Sequence, residues 1–295
     1  MIHYERCPVC LNGPIRLKHS VKDHSISNEV FEVWICKNCS AAFTQNVPSA
    51  VEIGRYYASE NYISHSDTRE GIVNRLYHQV RTITLAHKRK LVQRSTGMVA
   101  GKLLDIGAGT GAFANEMKQA GWDVTALEPM DTARQQAEVN YGIALQNENE
   151  LFNLSQQFDA ITLWHVLEHV HSLHEYGDRI KKLLKPDGKV FIAVPNFESK
   201  DANVYGDAWA AWDVPRHLYH FSPESMATFL SMHGLKLVNQ KPMWFDSFYV
   251  SMLSEPYKTG RPNLIRAMMR GLSSNFKALA DVKKCSSIIY IATNS

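Results

Sequence analysis

The stretch Lys102-Leu-Leu-Asp-Ile-Gly-Ala-Gly-Thr-Gly-Ala-Phe113 constrains the fold more than any other. Leu103, Leu104 and Ile106 predict a buried strand. Gly107, Gly109 and Gly111 follow at alternate positions, which permits a tight turn and lets a ligand approach the backbone closely. A helical pattern opens at Gly111, with Phe113 and Met117 at i, i+4. Strand, glycine turn and helix N-terminus make a nucleotide-type site of an α/β fold. Asp105 stands just before the glycines, and Asp123-Val-Thr-Ala-Leu-Glu128 reads as the next strand, ending in a second acid. Glu128 lies 17 positions after Gly111, near where an acid meets ribose hydroxyls.

A strand–helix rhythm continues and implies a parallel sheet. Residues 132–141 predict a helix, 143–146 the third strand, 158–163 the fourth, 172–184 a helix and 189–194 the fifth strand. Lys185-Pro-Asp-Gly188 predicts a turn. Residues 235–238 and 287–292 predict the last two strands. Trp164-His165-Val-Leu-Glu168-His169-Val170 begins where the fourth strand ends, and ligands bind outside the carboxyl ends of parallel strands. Glu168 and His169 fit a buried hydrogen-bonded pair capping the next helix. His165, Glu168 and His169 also stand at i, i+3, i+4, a spacing that would offer three ligands to a divalent ion on one helical face.

Four of the five cysteines form two pairs, Cys7-Pro-Val-Cys10 and Cys36-Lys-Asn-Cys39. Two such knuckles supply the closed tetrahedral sulfur set of a structural zinc ion. Between them Phe31, Val33 and Ile35 alternate with Glu32 and Trp34, as a ribbon strand should. About fifty residues bury little core, so the metal would stabilise the fold. Cys285, far from the others, reads as a buried apolar residue.

The net charge of +3 on 295 residues gives little reason to expect a nucleic-acid partner. The apolar stretches are strand-length, so no membrane span is expected, and the N-terminus lacks the apolar core of a signal peptide. A cytoplasmic, reducing setting follows, in which cysteines serve metal or chemistry.

The spacing D-x-G-x-G-x-G and the phrase L-L-K-P-D-G-K-V-x-I-x-V-P-N together resemble class I S-adenosylmethionine-dependent methyltransferases, the ubiquinone O-methyltransferase group among them. The resemblance implies a Rossmann-like, doubly wound, seven-stranded sheet in the order 3-2-1-4-5-7-6, with strand 7 antiparallel. It implies that Asp105, Gly107, Ala108, Gly109 and Gly111 hold the methionine end of the cofactor. Glu128, followed by Pro129, would hold the ribose, and Glu148 the adenine amino group. Trp164 or His165 would lie beside the sulfonium. The string W-x-x-P-R-H-L-Y-H-F-S-P-E, from Trp212 to Glu224, resembles a bacterial subset that carries a similar cysteine module and includes enzymes of sugar modification.

Residues 1–50 are thus a zinc-ribbon-like module, 51–101 a helical connector or lid, and 102–295 the methyltransferase domain. In the connector Tyr56, Tyr57 and Tyr62 cluster, and a helix from 69 to 95 carries Arg69, Arg75, Arg81, Lys88, Arg89 and Lys90 on a face that reads as solvated. The long loop 197–221 should choose the acceptor. His217 is the first candidate for a general base, with His220 and His165 as alternates. Arg216 would hold an acceptor anion, and Trp209, Trp212 and Tyr219 would stack on a sugar or aromatic ring. Ser222 should cap a helix begun by Pro223. The apolar segment 244–279 fits a substrate wall, core, or a dimer surface, which leaves the oligomeric state open. The expected activity is methyl transfer to a small-molecule or sugar acceptor. An RNA methyltransferase gripping RNA through the zinc module, and a non-catalytic cofactor- or partner-binding protein, are the alternatives.

Overall fold

The structure, a computed structural model, describes residues 1–57 and 72–295, and the side chains of all of these except 72–79. Tyr62 and Arg69, and the side chains of Ile72, Arg75 and Leu76, lie outside the described residues.

The large sheet contains β4 (Lys102–Ile106), β5 (Asp123–Leu127), β6 (Phe158–Trp164), β7 (Leu184–Pro195), β9 (Leu235–Pro242) and β10 (Ser287–Asn294). Its order is β5-β4-β6-β7-β10-β9, and β10 runs antiparallel to both its neighbours. This is the expected α/β order with one member reduced. The expected third strand, at 143–146, makes only a single parallel bridge, Leu127 to Gln146. The reason is local. Gly142, at φ 64°, ends the preceding helix, and Asn147 already caps the next turn with its own side chain. Little extended backbone remains between them.

The turn expected at Lys185–Gly188 lies inside β7. Leu184 pairs with Phe158 and Lys189 with Ala160, so the intervening residues form a bulge in the ladder. Alternation puts opposite residues of each strand into two cores. Leu104, Ile106, Ile161, Leu163, Val190 and Ile192 pack on one face with α4 (Leu173–Leu183) and α6 (Pro223–Met232). Leu103, Ala160, Phe191, Ile289 and Ile291 pack on the other with α1 (Ile72–Thr96) and α2 (Ala112–Gln119).

The cysteine segment builds a second sheet from β1 (Ile15–Lys22), β2 (Val30–Cys36) and β3 (Ala42–Thr44). Phe31 and Val33 are buried on β2 between exposed Val30 and Glu32, as alternation predicts. The fourth strand comes from far along the chain: β8 (Tyr219–His220) pairs antiparallel with β3. Cys7, Cys36, Cys39 and Phe43 share one core with Leu218, Phe221 and Phe229. Cys285 is fully buried, and burial lifts its thiol to about 12.

The remaining helices are α3 (Asp131–Tyr141), α5 (Lys200–Tyr205), α7 (Asp246–Thr259) and α8 (Leu264–Ala280). Ser222 caps α6 by accepting from the Ser225 N–H, with Pro223 in the first turn. Among the described residues no helix is long and apolar enough to cross a membrane.

Candidate active site

β4 delivers its backbone into a glycine loop that only glycine fits. Gly107 has φ 71°, and a Cβ there would stand 2.4 Å from Val166 Cγ2. The Gly107 and Ala108 N–H groups donate to Leu127 O at 2.8 and 2.9 Å, which ties the loop to the end of β5. Gly111, also at positive φ, begins α2. Glu128 accepts from Gly109 N–H at 2.8 Å and from Met130 N–H at 3.1 Å. Burial raises its carboxyl in spite of those donors. Arg134 donates to the Glu128 and Pro129 carbonyls. Glu148 accepts from the Tyr176 hydroxyl at 3.2 Å, and its charge adds to the upward push on Glu128.

Asp105 is 1% exposed. Its Oδ1 accepts from the Thr162 hydroxyl at 2.6 Å, while Oδ2 has no hydrogen-bond partner among the described residues. Burial pushes this carboxyl up to about 7, against the pull of Thr162 and Lys88. Lys88 was expected on a solvated face. Its ammonium instead lies 4.4 Å from the centre of the Trp164 ring, and burial brings it down to about 8 against the attraction of Asp246 and Asp105. Two of its helical neighbours also turn inward: Arg89 pairs with Glu116 at 2.7 Å, and Arg81 donates to Thr110 in the glycine loop at 3.1 Å. Trp164 meets Phe113 edge-on at 5.3 Å.

His165 follows at φ 59°, rare for a side chain with a Cβ. Its Nδ1 lies 3.1 Å from Glu168 Oε1 and its Nε2 2.9 Å from Asp246 Oδ2. Burial opposes the charged ring, but Asp246 and then Glu168 outweigh it and hold its pKa at about 10. A protonated imidazole with both nitrogens committed to carboxylates has no lone pair for a substrate proton, so His165 is not the base. It is also not a metal ligand beside Glu168 and His169. That place is taken by His217: ligand atoms of Glu168, His169 and His217 lie within 4.8 Å of one another. Glu168 is 1% exposed, and its Oε2 has no hydrogen-bond partner among the described residues. His169 Nδ1 is 3.1 Å from Arg216 O and from the Tyr57 hydroxyl; His217 Nδ1 is 3.0 Å from Ala211 O. A ring that donates through Nδ1 keeps its Nε2 lone pair for a proton or a cation. Burial, then the nearby His169 and His220, lower the His217 pKa well below the usual value, so the ring is neutral at pH 7.

The other loop candidates are scaffold. His220 is buried with Nε2 3.1 Å from the Thr44 hydroxyl, and burial drops it to about 3. Arg216 is saturated by Asp23 at 2.9 Å, Asp213 at 2.6 Å and Tyr56 O at 3.0 Å, and it is 1% exposed, so it clamps the fold and not an acceptor anion. Trp209, Trp212 and Tyr219 are buried, so their rings pack in the core and do not stack on a ligand. Asp246 and Asp23 carried no recognisable sequence signal, since each meets its partner across a long loop.

In the other cluster the Cys7 and Cys39 sulfurs are 3.6 Å apart and those of Cys10 and Cys36 3.7 Å. All four lie within 4.8 Å of one another. A zinc tetrahedron with bonds of about 2.3 Å places its sulfurs about 3.8 Å apart, so the donor set fits. Val9 and Asn38 N–H groups point at Cys7 and Cys36 sulfur, as a knuckle requires.

A methyltransferase-domain family model matches residues 77–240. The chain belongs to this methyltransferase family. The methyltransferase is 32% identical over 198 residues to the ubiquinone biosynthesis O-methyltransferase of Pectobacterium carotovorum subsp. carotovorum, covering 63% of this chain and 80% of the relative. It is 33% identical over 173 residues to the protein of the same name from Actinobacillus pleuropneumoniae serotype 7, covering 52% and 74% of the two chains. Magnesium protoporphyrin IX methyltransferase from Synechocystis PCC 6803, solved with bound S-adenosylhomocysteine, shares the fold. Its TM-score is 0.53 at 12% identity, and the match covers 82% of this chain and 99% of that one. The methyltransferase is therefore S-adenosylmethionine-dependent.

Proposed function

We propose that this methyltransferase transfers the methyl group to a hydroxyl of a small molecule, and that the cluster of Glu168, His169 and His217 receives that hydroxyl. The observation that carries the reading is Glu168 Oε2, without a hydrogen-bond partner among the described residues and beside two histidines, just beyond the carboxyl end of β6. Relatives named for ubiquinone biosynthesis O-methylation support oxygen as the accepting atom. A sugar hydroxyl remains within this class of acceptor.

In this reading Asp105, Gly107, Ala108, Gly109 and Gly111 cradle the methionine end of the cofactor. Glu128, Pro129 and Glu148 take the nucleoside, and Trp164 with His165 lines the wall beside the sulfonium. Asp105 Oδ2 would accept from the cofactor ammonium. A neutral alcohol attacks poorly, so the acceptor proton must be drawn away as the methyl group moves. His217, neutral and with one nitrogen held by Ala211 O, is the base. A divalent ion on Glu168, His169 and His217 would polarise the acceptor oxygen in place of the base, because it would occupy the same His217 lone pair; one carboxylate with two imidazoles suits such an ion. Zinc on Cys7, Cys10, Cys36 and Cys39 is structural. The chain divides into this module to residue 50, a connector to 101, and the catalytic domain from 102.

The test pairs S-adenosylhomocysteine calorimetry with turnover on a panel of phenols and sugars. His217→Gln should keep cofactor binding and lose turnover by about a hundredfold or more. Wild-type turnover in His217→Gln would overturn the assignment of the base. Absence of cofactor binding by wild-type protein would overturn the site as a whole.

A further inference from the structure

Helix α8 shows water what a core helix hides. Its inner face is made of Ala267, Gly271, Ser274 and Ala278, all buried. A Cβ on Gly271 would stand 2.6 Å from Phe248 Cδ1, so α8 sits against α7 as closely as backbones allow. The outer face carries Leu264, Ile265, Met269, Leu272, Phe276 and Leu279, each between 49% and 76% exposed. At about 100° per residue these six fall within an arc of roughly 140°. Arg266, Arg270 and Lys277 run along one margin of that arc and are exposed. Arg266 also lies 3.8 Å from Glu255.

The charge of this region is lopsided. From 258 to 284 there are seven Lys and Arg residues and one acid, Asp281, all exposed, although the whole chain carries only +3.

We propose that α8 is a docking face for an anionic phospholipid bilayer. The apolar stripe would enter the headgroup–acyl boundary, and Arg266, Arg270 and Lys277 would meet lipid phosphates. A second copy of the chain fits less well, because a two-fold contact would set the two cationic margins near each other with no acid on α8 to answer them. A nucleic acid would satisfy the charge but leave six large apolar side chains in water.

The full chain is centrifuged with vesicles of phosphatidylcholine alone and with vesicles that also contain phosphatidylglycerol. Co-sedimentation should occur with the anionic vesicles and fall as salt rises. Arg266→Gln, Arg270→Gln and Lys277→Gln combined should lower partitioning on the order of a hundredfold. Ile265→Ser with Phe276→Ser should remove it while leaving the thermal melt in place, since both side chains are already exposed. Equal or absent partitioning to the two vesicle types, or wild-type partitioning by these variants, would overturn the proposal. So would a dimer in analytical ultracentrifugation that Phe276→Ser converts to monomer, which would give the face to a second copy.

Discussion

Thr44 donates its hydroxyl hydrogen to the carbonyl oxygen of His217 at 2.7 Å, and the Thr44 hydroxyl oxygen lies 3.1 Å from His220 Nε2. One buried hydroxyl on β3 therefore fixes two residues of the loop that carries the proposed base. Removing it leaves buried polar groups without a partner, at about 1 to 3 kcal/mol. Thr44→Val should lose about that much stability in urea denaturation, and turnover with it, while Thr44→Ser should retain most of both. If Thr44→Val matches the wild type, this link does not position His217.

Asp105 sits near pKa 7 because burial penalises its charge. A cofactor ammonium at Oδ2 would pull that value down. Binding of S-adenosylhomocysteine near pH 7 should then release roughly half a proton, and affinity should rise with pH and level off above 7. Calorimetry in two buffers of different ionisation enthalpy reads the release directly. Proton uptake, or a release that persists in Asp105→Asn, would assign the effect to another group.

Gly107 and Gly109 both have positive φ, but their surroundings differ. A Cβ at Gly107 meets Val166 at 2.4 Å, whereas nothing lies within 4 Å of one at Gly109. Gly109→Ala should cost about 1 to 3 kcal/mol from its backbone conformation alone. Gly107→Ala should cost more, and Val166→Ala should recover part of the excess. Denaturation curves of the three variants order them; equal costs would remove Val166 from the account.

Arg216 faces Asp23 and Asp213 in the interior. Arg216→Met leaves the Asp23 carboxylate buried without its cation, at roughly 3 to 5 kcal/mol. Its melting temperature should fall, and its cofactor affinity should be unchanged wherever it is folded. A stable variant with a raised acceptor KM would restore Arg216 as a substrate ligand.

The features legible from sequence are those with local spacing. The glycine loop and the Ser222 cap sit within a few residues of what they act on, and Glu128 after β5 and the two cysteine pairs stand at spacings that are themselves the signal. The strand order followed from resemblance and from the α/β rhythm. What the sequence hid is long-range. His165 looked like a metal ligand or base because its spacing to Glu168 and His169 is helical, yet Asp246, 81 residues away, binds its second nitrogen. His217 joins Glu168 only because the chain returns to set Leu218 N–H 2.8 Å from Glu168 O. Lys88 read as solvated because a helix face has no sign of what packs on it. The third strand failed for the opposite reason: its flanking Gly142 and Asn147 were visible, and their turn-forming effect outweighed a short apolar run.

The pairing of β3 with β8 has a consequence for synthesis on the ribosome. The partner of Ala42 is His220, so the ribbon of the first 44 residues stays open at that edge until some 176 further residues have been made. Until then the edge of β3 presents unpaired backbone groups, the kind of surface that invites a foreign strand. An early-bound metal ion would hold the nascent ribbon in shape through that interval.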